Sequence, residues 1–270
     1  NEIHKNLNRS SKWKVIRNCL PRKESKELKY SRNITELVEE FSSSFTTVGI
    51  KASESATALL TKYNLPTIDL AVPAQIPVFH FHPVSCSDVQ QIIMSFSSNK
   101  APGLDKIPMS IIKDALPCIL PALTEIINCS WLTSENPTSW KMAEVVTLLK
   151  DRDHEIADNN RPVSLLIAVS KICERVVLNQ LTDYMSQWKR YTQHQNGNRK
   201  LHSTETLNVF ITDQILQSMD RKEVAALVLI DLSKAFDSID HSILLVQLQT
   251  IGVSKSVLAW FKSYLSGRSQ

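Results

Sequence analysis

The sequence predicts a helix-rich α+β fold, and three observations carry that prediction. Apolar residues recur at helical spacing through most of the chain. Two short β-rich runs, 142–149 and 162–166, flank a polar loop of alternating charge and read as a hairpin with a long tip. A third run, Glu223-Val-Ala-Ala-Leu-Val-Leu-Ile230, ends in Asp231. Such a continuous apolar run fits a strand buried on both faces of a sheet.

Taken in order, Ile34, Leu37, Val38, Phe41 and Phe45 share one helical face. Three prolines between Leu65 and Pro77 suppress helix and favour an extended connector. His80-Phe-His82 alternates as a short strand with two outward imidazoles would. Together with Cys86 it offers three candidate metal ligands, but no fourth partner at finger spacing. Ser85 or Ser87 suits the cap of a helix running to about Phe96. Pro102-Gly103 marks a turn, and helix returns from Ile107 to about Leu132 with a break at Pro117 or Pro121. After the hairpin, Ile172, Val176, Val177, Leu181, Tyr184, Met185 and Trp188 fall on one helical face. Ser203 or Thr204 caps a helix to about Met219, with Glu205 in its positive first turn. Helices from about His241 to Ile251 and from Val257 to Leu265 follow the apolar run.

Composition excludes several classes. An apolar content of 43% with 21% charged residues is that of a folded chain rather than a disordered one. Five glycines argue against glycine-rich phosphate loops. Five widely spaced cysteines with no CxxC pair indicate neither a disulfide framework nor a zinc knuckle, and suit a reduced, intracellular chain. The longest apolar stretches fall short of the ~18 residues that a bilayer span needs, so no membrane partner is expected. No Ser/His/Asp set stands out. The chain opens on Asn and closes just after a helical pattern, so both ends read as cuts in a longer polypeptide. Residues 1–33 hold ten Lys/Arg against three Asp/Glu, a local +7 within a net charge of +4. That segment suits either a phosphate backbone or a solvated linker.

Asp231 invites a chemical reading. A carboxylate at the tip of a buried strand is desolvated unless a cation or donor meets it. Magnesium takes one or two carboxylates together with phosphate oxygens. The plainer alternative, an Asp that ends a strand and caps the next turn, stays open on the residues alone.

Leu229-Ile-Asp-Leu-Ser-Lys-Ala-Phe-Asp-Ser-Ile-Asp-His241 resembles the first palm motif of non-LTR (LINE-type) retrotransposon reverse transcriptases. Three further segments follow that family's order. Lys100-Ala-Pro-Gly-Leu-Asp-Lys-Ile-Pro108 is similar to the opening of its fingers. Asn160-Arg-Pro-Val-Ser-Leu-Leu166 resembles its Tyr-Arg-Pro-Ile-Ser-Leu strand. Gln195-Asn-Gly-Asn-Arg199 with His202-Ser-Thr-Glu-Thr206 resembles the Gly-Phe-Arg…Ser-Thr lead into the palm. The resemblance implies a right-hand polymerase. Residues 1–85 would be a basic, partly helical linker, 86–202 the fingers, and 203–270 the start of a palm whose buried strand ends at Asp231.

Roles follow by resemblance. Asp231 would be a catalytic metal ligand for Mg2+ in a two-metal site, with Leu232 adding its carbonyl. Phe236 would lie under the incoming sugar and exclude a ribose 2′ hydroxyl, against the alternative of core packing. Arg161 would fork onto the triphosphate. Lys150 would be a second triphosphate contact or a solvated hairpin lysine, and Arg199 would shape the template or nucleotide pocket. Asp237 and Asp240 would cap the next helix. The implied partners are an RNA template, a DNA primer or target and deoxynucleoside triphosphates, with work at nuclear DNA and in cytoplasmic ribonucleoprotein. Asn160 and Asn198 replace aromatic residues usual in the family, which is expected to loosen local packing. No Asp-Asp pair occurs in the 270 residues, so this stretch alone is expected to be inactive. Two other readings stay open, a non-catalytic nucleic-acid-binding remnant and an inert relic.

Overall fold

A computed structural model describes residues 30–64, 77–150, 153–232 and 235–270. The basic opening segment up to residue 29 and most of the proline-rich connector lie outside the described residues.

Helix α1 (Ile34–Lys62) starts at Asn33, whose side chain accepts the Thr35 N–H. The apolar face read at 34–45 buries Leu37 and Phe41. The helix continues well past Phe45, through a stretch rich in Ser and Thr. There Thr46, Thr47, Thr57 and Thr61 each donate their hydroxyl to the carbonyl four residues back, so their side chains follow the helix rather than compete with it.

Beyond Pro77 the chain runs extended. Phe79 bridges Val253 in parallel, with its N–H donating to the Gly252 carbonyl and its carbonyl accepting from Ser254. Two side-chain amides stand in for further ladder pairs. Gln180 grips the backbone of His82, and Asn128 that of Val84, each through one donated and one accepted bond. Phe79 is buried while His80 and His82 are exposed, as alternation requires.

Helix α2 (Cys86–Ser95) opens with a reciprocal capping box between Ser85 and Asp88. Lys113 donates to the carbonyls of Met94 and Phe96 at its far end. Helix α3 (Met109–Asp114) stops at Ala115 and α4 (Leu116–Leu132) follows at once, so the break falls just before Pro117. Pro117 takes the second helical position, where a missing N–H costs nothing. Pro121 stays inside α4, which is held by its buried Leu123, Ile127 and Trp131.

Strands β1 (Ala143–Leu149) and β2 (Asn160–Leu166) pair antiparallel from Ala143↔Leu166 to Leu149↔Asn160. Helix α5 (Ala168–Gln187) returns into the core. Helix α6 (Thr204–Asp220) is capped by Ser203, α7 (His241–Thr250) by Asp240 and α8 (Lys255–Leu265) by Ser254. The core gathers Val89 and Ile93 of α2, Ile127 and Trp131 of α4, Ile172, Cys173 and Val176 of α5, and Trp260 of α8. Trp260 is 1% exposed, and its indole N–H donates to the Ser130 hydroxyl at 2.8 Å. Burial pushes the Cys173 thiol up to about 12 and raises the neighbouring Glu174 carboxyl, which accepts from Tyr264.

A helix-rich α+β fold with a small antiparallel sheet is what the sequence predicts. One expected element is absent from it. Residues 223–230 are not a strand, and Val224, Val228, Leu229 and Ile230 are 99%, 79%, 84% and 83% exposed. A strand is completed by neighbours that take up its N–H and C=O groups. Among the described residues the two strands pair with each other and none flanks this run. Apolar composition alone therefore leaves it without regular structure and uncovered.

Candidate active site

The hairpin positions the first pair of expected site residues. Arg161 faces Leu148 across the ladder, and Lys150 lies two residues beyond Leu148. Side chains alternate faces along a strand, so Lys150 and Arg161 share one face. Both are exposed, and Leu148, Val146 and Val163 of the same face are at least a third exposed as well. The result is an open face carrying two cations over aliphatic side chains.

Between the strands, residues 153–159 are held by specific hydrogen bonds. The buried Asn160 side chain donates to the carbonyls of His154 and Ile156, at 2.9 and 2.8 Å. The Lys150 N–H closes onto the Asn159 carbonyl. The expectation that Asn160 loosens packing is thus corrected, because its amide makes two bonds that no aromatic ring could supply. Asn198 is likewise suited to its place. Its φ of 53° is left-handed, a conformation that Asn tolerates better than bulky residues.

Just upstream of α1, the Ser31 hydroxyl donates to Glu155 at 2.6 Å and its N–H donates to the other carboxylate oxygen. These bonds hold the Glu155 carboxyl below the usual carboxylate range. Tyr30 meets His154 edge-on at 5.0 Å, while Leu37 and Phe41 pack on Ala157. Farther along α1, a Cβ at Gly49 would come within 2.9 Å of the Asp237 carbonyl, and Ser53 reaches the Asp240 carboxylate. One helix therefore touches both the hairpin tip and the loop that follows Asp231. Sequence reading missed this bridge. A lone glycine inside a helical stretch is the one signal that marked it.

Asp231 and Leu232 lie in the same irregular, exposed segment, and Phe236 is 80% exposed in the turn after it. Phe236 does not pack in the core. Asp240 caps α7 by accepting from the Ser242 and Ile243 N–H groups. Its bond from the Ser242 hydroxyl, followed by those backbone donors, lowers its carboxyl. Arg199 is drawn into its own loop. It stacks over Tyr191 at 5.2 Å and donates to the carbonyls of Thr192 and Gln195. The structure thus brings Lys150 and Arg161 together and gives Arg199 a local task. The Asp231 carboxylate with the adjacent Leu232 carbonyl is an oxygen donor set that a hard cation shared with phosphate oxygens would fit. Among the described residues no three His, Cys, Asp or Glu side chains gather into an all-protein cage.

The sequence profile of the reverse transcriptase (RNA-dependent DNA polymerase) family matches residues 149–270. Those residues are part of a reverse transcriptase domain. The matched part of the domain contains Lys150, the whole of β2 with Arg161, and the segment from Asp231 to Phe236. The chain is 31% identical over 202 residues to a probable RNA-directed DNA polymerase from transposon BS of Drosophila melanogaster, which covers 72% of the chain and 22% of that protein. It is 30% identical to the probable RNA-directed DNA polymerase from transposon X-element of the same species, over 74% of the chain and 22% of the relative. For the RNA-directed DNA polymerase from mobile element jockey of Drosophila funebris the identity is 25%, over 80% and 23%. The chain spans about a fifth of the length of these relatives. The likeness to non-LTR retrotransposon reverse transcriptases is borne out.

Proposed function

We propose that the chain is the fingers (residues 86–202) and the beginning of the palm (203–270) of an RNA-directed DNA polymerase of a non-LTR retroelement, preceded by a linker (1–85). The observation that carries this reading is the shared face of Lys150 and Arg161 on one hairpin, both residues falling within the reverse transcriptase match. Two cations on a rigid ladder suit a triphosphate, with Arg161 binding oxygens in a fork and Lys150 acting as a point charge. Asp231 and the Leu232 carbonyl are the residues that would hold Mg2+. When bound, such ions neutralise phosphate charge and activate a 3′ hydroxyl in two-metal nucleotidyl transfer. Phe236, next to this segment and outside the core, excludes a 2′ hydroxyl by overlap with its ring. Arg199 stiffens the approach to the palm. The template is RNA, the primer DNA and the substrates deoxynucleoside triphosphates.

In this reading the exposed 223–230 run becomes a strand only beside further palm strands, and Asp231 lacks the Asp-Asp carboxylates that complete the metal site. Residues 1–270 alone therefore give no primer extension on an RNA template with magnesium. Extension above background that disappears in Asp231→Ala would overturn that expectation. In a longer polypeptide that does extend primers, Asp231→Ala abolishes synthesis. Phe236→Val there admits ribonucleotides while sparing deoxynucleotide use, about tenfold in the ratio of kcat/KM for each ~1.4 kcal/mol of repulsion removed. Equal loss with both nucleotide types would make Phe236 a packing residue.

A further inference from the structure

Away from the hairpin face, a partly open cavity of about 240 Å³ lies between the end of α2, the 97–109 loop and the first turns of α5. Its ten lining residues include three cations, Lys100, Lys171 and Arg175, and no carboxylate. Lys171 and Arg175 are four apart on α5 and so project from the same side. Lys171 spends one of its three donors on the Ala101 carbonyl at 3.1 Å, which ties the loop to the helix. The Arg175 guanidinium lies 5.2 Å from the centre of the Phe96 ring. Pro102, Ile107 and Met109 complete an apolar floor.

Positive charge around an aromatic and aliphatic floor matches one ligand chemistry, a phosphate joined to a flat base. The cavity is smaller than the ~300 Å³ at which pockets for drug-sized ligands begin. It suits a single nucleotide unit. A duplex would have to expel a base to enter it, whereas a single strand offers bases already free to stack on rings and guanidinium planes.

We propose that this cavity docks one nucleotide unit of a single-stranded nucleic acid. Lys100, Lys171 and Arg175 hold its phosphate, and the base lies on the floor beside Phe96. The ligand class rests on the polymerase reading, while the charge and shape stand on the cavity itself. This contact is separate from the triphosphate face of the hairpin and holds a strand rather than a substrate.

The test uses the 270-residue chain with fluorescein-labelled single-stranded RNA, and with DNA of the same sequence, in anisotropy titrations across a salt series. Lys100→Gln/Lys171→Gln/Arg175→Gln is expected to weaken binding about tenfold or more at low salt. It should also flatten the plot of log affinity against log salt by about 0.7, the slope that one single-strand phosphate contributes when it is no longer neutralised. A weakening with RNA alone or with both strands supports the site and identifies its source. As a readout that needs no variant, acylation of the Lys100 amine in the wild-type chain is followed by mass spectrometry. The oligonucleotide should protect Lys100, and AMP at equal phosphate concentration should not. Unchanged affinity and slope in the triple variant, or no protection of Lys100, overturns the cavity while leaving the polymerase reading standing. Equal protection by AMP overturns the strand in favour of a free nucleotide. Failure of the wild type to bind either strand at low salt overturns both.

Discussion

Gly103 shows why a residue must be read with its neighbours. In the sequence Pro102-Gly103 looks like a turn, and a glycine in a turn suggests a left-handed backbone. The left-handed residue of this loop is instead Lys106, at φ 57°. What requires glycine at 103 is proximity. An added Cβ would sit 2.4 Å from the Ile167 nitrogen and 2.5 Å from the Leu166 carbonyl carbon, both backbone atoms. Gly103 thereby seats the Lys100–Pro108 loop on the junction between β2 and α5. Gly103→Ala should shift the urea midpoint by an amount equivalent to about 1–3 kcal/mol, the usual scale of overpacking. An unchanged midpoint would show that the loop moves aside freely.

At the scale of elements, α1 clamps the tip of the hairpin. The clamp combines Leu37 and Phe41 on Ala157 with the Ser31 bonds to Glu155. Removing a buried Leu side chain costs about 2–5 kcal/mol where the surroundings do not collapse. In Leu37→Ala the 153–160 amides should accordingly exchange hydrogen faster, while those of α5 keep their protection. Acid should loosen the same clamp. The Glu155 carboxyl is lowered in the folded chain, so its stabilising effect is present above the ordinary Glu range of ~4.3 and is lost as pH falls through the lowered value. After correction for intrinsic rates, exchange at 153–160 should rise below that range in the wild type and be already elevated at neutral pH in Glu155→Gln. Equal protection in both at every pH would remove Glu155 from the clamp.

At the scale of the whole molecule, the described residues include a large packed core and an uncovered apolar surface. Helices α2, α4, α5 and α8 share a continuous core. Helix α6 buries no residue, and Val209, Phe210, Leu216 and Met219 join the 224–230 run in exposing large apolar side chains. An exposed β-prone segment without charge or proline is a template for association. The 270-residue chain is expected to bind a hydrophobic dye and to self-associate as its concentration rises. Val228→Lys with Ile230→Lys should suppress both without lowering Tm, since neither side chain packs on the core. A monomeric wild type with no dye binding would mean that this run is covered in solution.

The sequence by itself determined the local elements. The capping signals at Ser85 and Ser203, the hairpin pattern and the spacing of Ile172, Val176 and Val177 depend on residues a few positions apart, and each element appears where those signals lie. Motif order likewise points to the reverse transcriptase family independently of the fold. Three features were decided only by tertiary structure. The 223–230 run stays uncovered because strand formation depends on partners that its own residues do not encode. The bridge along α1 joins Ala157 to Asp237 and Asp240, residues far apart in the chain. The cationic cavity draws Lys100 beside Lys171 and Arg175 across some seventy residues of sequence, through the contact of Lys171 with the Ala101 carbonyl. Short-range patterns set what each segment becomes, whereas charge and apolar surface acquire a function only when packing sets which distant residues meet.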